Sequence, residues 1–226
     1  MDMNVHTDLN IQDTAQPDTQ TIAHHIPAQR FAQGLTIEQF VNQMTKNRNI
    51  FEEHYRTFTL NEEDAAFFSR FPRPLNVLVL AEDWCGDVLR YLPALARIAS
   101  VARTWNVRVF HRDRNLDLAD MWMREGKYRA IPVVVFFDEQ MRELAHFIEK
   151  PQEVYEAEAQ AHRRFARLHP DLPDAEAPVA DMTESTRALY IPYIREFRQA
   201  HRLQWQQLFV EKIRGLLAGC VQSVAP

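Results

Sequence analysis

The feature that most constrains this 226-residue chain is a strand pattern that leads directly into a helix pattern. Residues 75–81 read LNVLVLA, and such a continuous aliphatic run predicts a strand that is covered on both faces of its sheet. Residues 86–103 then carry apolar side chains at helical spacing. A strand covered on both faces needs helices to cover it, so the pattern predicts an α/β fold with a central sheet flanked by helices.

The remaining patterns alternate around this first strand. Further strands are predicted at 107–111, 131–137 and 141–147, and further helices at 116–126, ending at Gly126, and at 151–168. The order β-α-β-α-β-β predicts parallel strands joined by crossovers, with an antiparallel hairpin at one edge of a mixed sheet.

The two ends of the chain extend this core. Thr36 and Gln39 form a capping box, and apolar residues from Ile37 to Phe58 recur at the spacing of one helix, which a shorter helix follows after Asn61. The predicted organisation is a disordered tail at 1–33, a domain at 34–168, an acidic, proline-broken linker at 169–182 and a C-terminal helical extension at 183–226. One long amphipathic helix is predicted in that extension, either as a packing face or as a homodimer contact.

Composition excludes several classes of function. The net charge is −5 and no block of lysine or arginine stands out, which argues against a nucleic-acid partner. The five glycines form no phosphate-binding motif, so we expect no cofactor; the histidine spacings suggest no metal site. No apolar run approaches the ~20 residues that span a membrane, and two cysteines cannot build a disulfide framework. A cytoplasmic protein with reduced thiols and no membrane partner is expected.

Cys85 is the candidate reactive residue. It stands just after the first strand and at the start of the following helix, where unpaired backbone N–H groups and the helix dipole favour a thiolate. Such a position can lower a thiol pKa from about 8.5 into roughly the 3.5–7.5 range. The thiolate is the nucleophilic form, so the position alone predicts a reactive cysteine.

Three separated motifs around Cys85 resemble the thioredoxin superfamily. Trp84-Cys85-Gly86 matches its W-C-G opening, Pro93 falls where the active-site helix carries a proline, and KYRAIP (127–132) looks like the approach to its cis-proline. The segment EDWCGD, together with NRNIFEE upstream, resembles the sequences of a bacterial branch of this superfamily whose motif lacks the second cysteine. The resemblance implies a thioredoxin-like fold with Cys85 as nucleophile. It also implies a substrate-binding groove formed by Trp84, Gly86, Asp87, Val88, Ile131 and Pro132, the last being the cis residue.

Two positions depart from the family pattern. Val88 replaces the resolving cysteine, and Val79 stands where thioredoxins carry a buried acid, so the ordinary dithiol cycle cannot run within this site. Val88 is expected on the same face of the helix as the thiol, where it reduces the access of water to the sulfur. Asp87 is expected to project away from the sulfur and to raise the thiol pKa only modestly. We therefore expect a moderately activated thiol, less acidic than that of a dithiol oxidoreductase.

Three functions fit these residues. The leading one is monothiol thiol–disulfide exchange with protein or small-molecule thiols and disulfides, in which an outside thiol resolves the mixed disulfide on Cys85. The alternative is a non-catalytic module of the same fold that binds or assembles proteins. A weaker third is transfer of glutathione-like thiols, for which the C-G-F-S sequence of monothiol glutaredoxins is absent. Whether Cys220, six residues from the end, reaches Cys85 is not decided by the sequence.

Overall fold

The computed structural model describes residues 24–222, and a four-stranded mixed sheet lies at its centre. The strands are β1 (Leu75–Ala81), β2 (Trp105–His111), β3 (Val133–Phe137) and β4 (Glu143–Ile148). Their order across the sheet is β2-β1-β3-β4, so β1 is an interior strand. Every residue of β1 except Asn76 is buried, which confirms the covered strand predicted from LNVLVLA.

Strand directions confirm the predicted hairpin and correct the predicted crossover. β1 and β2 are parallel, and β3 and β4 form the antiparallel hairpin at the sheet edge. The expectation of a further parallel strand is wrong, because β3 runs antiparallel to β1. A parallel connection needs a helix that carries the chain back along the sheet, and the segment between β2 and β3 contains only one turn of α-helix. The first residue of β3, Val133, therefore pairs with Leu80 near the end of β1.

Helices cover the sheet and extend the chain at both ends. The described α-helices are α1 (Ala28–Phe31), α2 (Ile37–Gln43), α3 (Arg48–Thr57), α4 (Glu62–Ser69), α5 (Gly86–Val101), α6 (Leu116–Ala119), α7 (Gln152–Leu168), α8 (Glu184–Ala200) and α9 (Arg202–Gln222). α5 packs against α3 and α9, and α9 also contacts β4. Within residues 24–222, no helix combines the length and hydrophobicity that crossing a membrane requires.

The helix predicted over 36–58 is two helices. The capping box of Thr36 and Gln39 is present, but α2 ends at Gln43 and α3 begins only at Arg48. Asn47 adopts a left-handed conformation with φ of 58° at the break. The backbone N–H groups of Thr45 and Lys46 donate to the Asp83 carboxylate instead of continuing the helix. A tertiary contact with a residue almost forty positions away therefore overrides the helical pattern.

The helix predicted over 116–126 is also too long, since α6 ends at Ala119. Trp122 turns into the protein, where its side chain is 2% exposed and its Nε1–H donates to Glu143. The N–H of Arg124 then donates to the carbonyl of Tyr128, which closes a turn in place of a helix. Burial of one large aromatic side chain thus ends the helix early.

Both predicted flexible segments are partly packed. The prediction of a disordered tail at 1–33 is wrong for residues 24–33, where Ile26 and Phe31 are buried, and residues 1–23 lie outside the described part. The predicted linker at 169–182 contributes the buried Ala175 and Met182 to a second apolar cluster between α7 and α8. Asp174 in this segment accepts hydrogen bonds from Thr183 and Thr186 at the start of α8.

The single helix predicted in the C-terminal extension at 183–226 is divided at His201 into α8 and α9. The division allows the two halves to have different partners. α8 pairs with α7, and α9 enters the main core, where Trp205, Phe209, Ile213 and Leu217 are buried. Leu216 on the same helix is 36% exposed, and a homodimer contact through this extension stays a prediction.

Candidate functional site

Cys85 lies at the start of α5, close to the residues that precede β3. Cys85 is the N-cap residue of α5, with extended backbone and with its carbonyl accepting from the N–H of Leu89 at 3.0 Å. Because β3 begins beside the end of β1, Ile131 lies next to this helix start. The Cys85 Sγ is 3.5 Å from the Ile131 carbonyl oxygen, and the Ile131–Pro132 peptide bond is cis.

The residues expected to form the groove differ in exposure. Trp84 is 46% exposed and lies under the guanidinium of Arg112, 5.5 Å from its ring centroid. Gly86 is also exposed, and Cys85 and Asp87 are half-buried. The other three residues, Val88, Ile131 and Pro132, are buried. The accessible part of the site is therefore the turn from Trp84 to Asp87, whereas the buried residues form the wall behind the sulfur.

Burial raises the pKa of the Cys85 thiol. The N–H groups of Val88 and Asp87 at the start of the helix oppose this effect, and the carboxylates of Asp87 and Glu149 add to it. The expectation of a moderately activated thiol is therefore wrong. Burial of the thiol and the two carboxylates outweigh the helix start, so the thiol is predominantly protonated at neutral pH.

The carboxylates near the thiol belong to a network of charges. Asp87 pairs with Arg90 one turn along α5 and lies 3.5 Å from Lys150. Lys150 is itself 2.8 Å from Glu158 on α7 and 3.7 Å from Glu149. Glu149 and Lys150 come from the turn between β4 and α7, and no motif in the sequence connects that turn to Cys85.

Two buried acids hold the loop that carries the Trp84–Gly86 turn. Glu82 accepts the backbone N–H of Asp113 at 2.8 Å, and Asp83 accepts those of Thr45 and Lys46 at 2.8 and 2.9 Å. Burial by itself would raise the pKa of Asp83, but these N–H groups and the Thr45 hydroxyl hold it below its ordinary value. The pair therefore fastens the loop to β2 on one side and to the α2–α3 connection on the other.

Cys220 lies near the start of the edge strand β4, whereas Cys85 lies near the end of that strand. The Cys220 Sγ is 3.4 Å from the carbonyl oxygen of Leu144, near the start of β4, whereas Val133 next to the Cys85 site pairs with Ile148 at the end of β4. Four residue steps along a strand span about 13 Å. A disulfide requires Cα atoms within about 7 Å, so this arrangement does not allow the two cysteines to bond.

The described residues 24–222 contain no group of three or more histidine, cysteine or acidic side chains placed to hold a metal ion. Around Cys85 the structure places one sulfur, the Ile131 backbone carbonyl beside it and the exposed Trp84 ring.

Comparison with known proteins agrees with this geometry. A family model described as thioredoxin matches residues 34–162, which is more than half of the chain. A search of the curated proteins finds no match. A protein of unknown function from Pseudomonas aeruginosa has a solved structure with 18% identity and a TM-score of 0.57, covering 84% of this chain and 95% of its own.

An HIV epitope scaffold is similar at 20% identity and a TM-score of 0.55, covering 88% of this chain and 98% of its own. At identities of 18% and 20%, these two similarities establish a shared fold and nothing about function. The shared fold covers almost the whole described chain. The match to the family model extends from α2 through the Cys85 turn and the hairpin into α7. This chain belongs to the thioredoxin family.

Proposed function

We propose that this protein carries out thiol–disulfide exchange through the single thiol of Cys85. The observation that supports the proposal is the position of the sulfur, 3.5 Å from the Ile131 carbonyl and beside the exposed Trp84 ring. We also place the chain in the bacterial branch whose W-C-G-D motif lacks a second cysteine, and in a reducing cytoplasm. There a protein or small-molecule disulfide would approach the turn from Trp84 to Asp87.

The reaction is an exchange without net oxidation. The Cys85 thiolate attacks one sulfur of a disulfide, a new S–S bond forms to Cys85, and the other sulfur leaves as a thiolate. A thiolate from a second molecule then attacks the substrate sulfur of this mixed disulfide, which releases the Cys85 thiolate and a new disulfide. Val88 occupies the next turn of α5 and carries no sulfur, so the second step depends on an outside thiol.

The raised pKa of Cys85 sets the pH dependence of this exchange. Only the thiolate attacks, so the rate rises with pH until the pH passes the pKa of the folded protein. A thiol of higher pKa is also a stronger nucleophile once it is ionised, which offsets part of the loss at neutral pH. We expect slow exchange at pH 7 and faster exchange above pH 8.5.

A non-catalytic binding module is the second candidate. It is favoured by the same burial that raises the thiol pKa, and by the burial of Val88, Ile131 and Pro132, which narrows the accessible groove. On this alternative the Trp84 turn contacts a partner protein and the sulfur takes no part.

Mass spectrometry with a small disulfide separates the two candidates. The reduced protein is incubated with 2-hydroxyethyl disulfide at pH 8.5, and the adduct on each cysteine is followed over time in the wild type, Cys85→Ser and Cys220→Ser. The proposal predicts an adduct on Cys85 that persists in Cys220→Ser and is absent from Cys85→Ser. If Cys85 of the folded protein stays unmodified while the unfolded chain reacts at both cysteines, the exchange proposal is wrong and the binding module is favoured.

A further inference from the structure

A cleft rich in arginine lies beside the Trp84–Gly86 turn. It has a volume of about 660 Å³ and is bounded by α3, the start of α5 and the region where α8 meets α9. Its charged and aromatic lining consists of Trp84, Asp87, Arg90, Arg195, Arg198 and Arg202. We call it the arginine cleft. Its volume is within the range of about 300–1,000 Å³ that small-molecule sites occupy.

The arginine cleft has more positive charge than its own acids neutralise. Arg90 is paired with Asp87, and Arg198 is 2.7 Å from Glu158. Arg195 and Arg202 have no carboxylate within ion-pair distance among residues 24–222. Two of the four guanidinium groups therefore have no ion pair in the described part of the chain, and Glu53 acts on Arg202 only from beyond ion-pair distance.

Arg202 is the unusual member of this set, because its side chain is buried, with a relative exposure of 7%. Its two terminal nitrogens donate to neutral groups, the Gln206 side-chain oxygen at 2.7 Å and the Thr57 hydroxyl at 3.0 Å. Its Nε is buried and has no hydrogen-bond partner in the described structure. A buried cation without a paired anion is costly, and removal from water lowers the pKa of this guanidinium.

The rest of the lining suits an organic ligand. Ile50 of α3, Leu89 of α5, and Ile191 and Ile194 of α8 add apolar surface to the arginine cleft. His54 also lines it; burial lowers the pKa of its imidazole, and its Nδ1–H donates to the Leu89 carbonyl at 2.7 Å. The cleft thus combines a cationic part with an apolar part.

We propose that the arginine cleft binds a small organic anion whose carboxylate or phosphate head group is held by Arg195 and Arg202. The head group places a full negative charge beside Arg202, which has no ion pair of its own, and a guanidinium matches the oxygens of either head group. The apolar part of the ligand lies against the isoleucines. This site requires no chemistry at Cys85, although it shares Trp84, Gly86 and Asp87 with the turn proposed for exchange.

Nuclear magnetic resonance of the arginine Nε–H groups tests the proposal. The full-length protein is titrated at constant ionic strength with hexanoate, inorganic phosphate and, as the uncharged control, hexanamide. We expect a saturable shift of the Arg202 Nε–H signal with hexanoate or phosphate and none with hexanamide. The anion that binds more tightly identifies the head group. A shift that never saturates with either anion would overturn the proposal.

Variants assign the effect to the cleft. Arg195→Gln changes an exposed side chain of α8, so the protein is expected to fold, and its dissociation constant for the better anion should rise about tenfold with the loss of one charged contact. In Arg202→Gln, which has no Arg202 signal, the titration is followed on the Nε–H signals of the other cleft arginines, and their saturable shift should be lost. Arg103→Gln removes the same charge at the far end of α5 and should bind as the wild type does, as should Cys85→Ser. Equal affinities in Arg195→Gln and Arg103→Gln would contradict the proposed site.

Discussion

Cys85 shows how the surroundings of one side chain can reverse what its position in a helix suggests. The helix start contributes N–H groups that favour the thiolate, but burial and the carboxylates of Asp87 and Glu149 favour the thiol, and the net effect is a raised pKa. The residue therefore has the position of a family nucleophile without its acidity. Its reactivity should respond to changes in the charges around it.

Removing the nearer carboxylate should make the thiol more acidic. Asp87→Asn takes away a negative charge that raises the Cys85 pKa and leaves Arg90 and Lys150 beside the site, so the pKa should fall. We expect alkylation by iodoacetamide at pH 7.5 to be at least about twofold faster, since the rate follows the thiolate fraction. The measurement is the alkylation rate of Cys85 from pH 6 to pH 10.5. Glu139→Gln, an exposed change elsewhere, should leave the inflection unchanged; an unshifted or higher inflection in Asp87→Asn would contradict this account.

Among the elements, the connection between α2 and α3 depends on a single carboxylate. Asp83 accepts two backbone N–H groups and the Thr45 hydroxyl, so Asp83→Ala should lower the free energy of unfolding by about 2 kcal/mol. The pKa of Asp83 is depressed in the folded state, so its contribution is present at neutral pH and is lost as the pH falls through that lowered pKa. Urea denaturation measures the effect. Exposed Asp171→Asn is the control, and a loss below about 0.5 kcal/mol in Asp83→Ala would show that the contact is dispensable.

The contact between α3 and α5 should make stability sensitive to mild acid. His54 is buried and its pKa is lowered from the ordinary value of 6.5, so as the pH falls below that value the unfolded state binds more protons than the folded state. Stability is therefore lost towards lower pH. His54→Asn keeps a donor for the Leu89 carbonyl and removes the titration, so its urea midpoint should fall less between pH 7.5 and pH 5.5. The exposed His25→Asn should follow the wild type; a wild-type midpoint independent of pH would contradict the assignment.

The elements also show which parts of the fold the sequence could predict. Local patterns were sufficient for β1, α4, α5, α7 and the β3–β4 hairpin, because each has its own apolar periodicity or cap. The break between α2 and α3 and the early end of α6 depend on contacts between distant residues. Asp83 and Trp122 create these two breaks, and neither leaves a signal in the neighbouring sequence.

In the whole molecule, α9 is a structural part of the domain core. Phe209 is fully buried, with its ring centroid 5.2 Å from that of Tyr91 on α5 and 5.0 Å from that of Phe147 on β4. Phe209→Ala should lower the free energy of unfolding by about 3–5 kcal/mol, as measured in urea. Leu203→Ala, at an exposed position in the first turn of α9, should change it by less than about 0.5 kcal/mol. Similar effects of the two substitutions would mean that α9 does not belong to the core.

The two candidate sites differ in how far the sequence reveals them. Cys85 and Ile131-Pro132 belong to two short motifs, and the sheet brings those motifs together. The arginine cleft is built from α3, α5, α8 and α9. Arg195, Arg198 and Arg202 follow one another at helical i, i+3, i+7 spacing across the junction of α8 and α9, but nothing in the sequence places them beside α3 and Arg90 of α5. The cleft therefore becomes visible only when the helices are packed.

The proposed exchange requires that Cys85 form a mixed disulfide that no other described residue resolves. The direct test is to load Cys85 with one half of 2-hydroxyethyl disulfide, remove the excess reagent, and follow the adduct by mass spectrometry with and without an added small thiol. We expect the adduct to persist for hours alone and to disappear within minutes of adding the thiol. Loss of the adduct without added thiol, with formation of a bond between Cys85 and Cys220, would contradict this expectation.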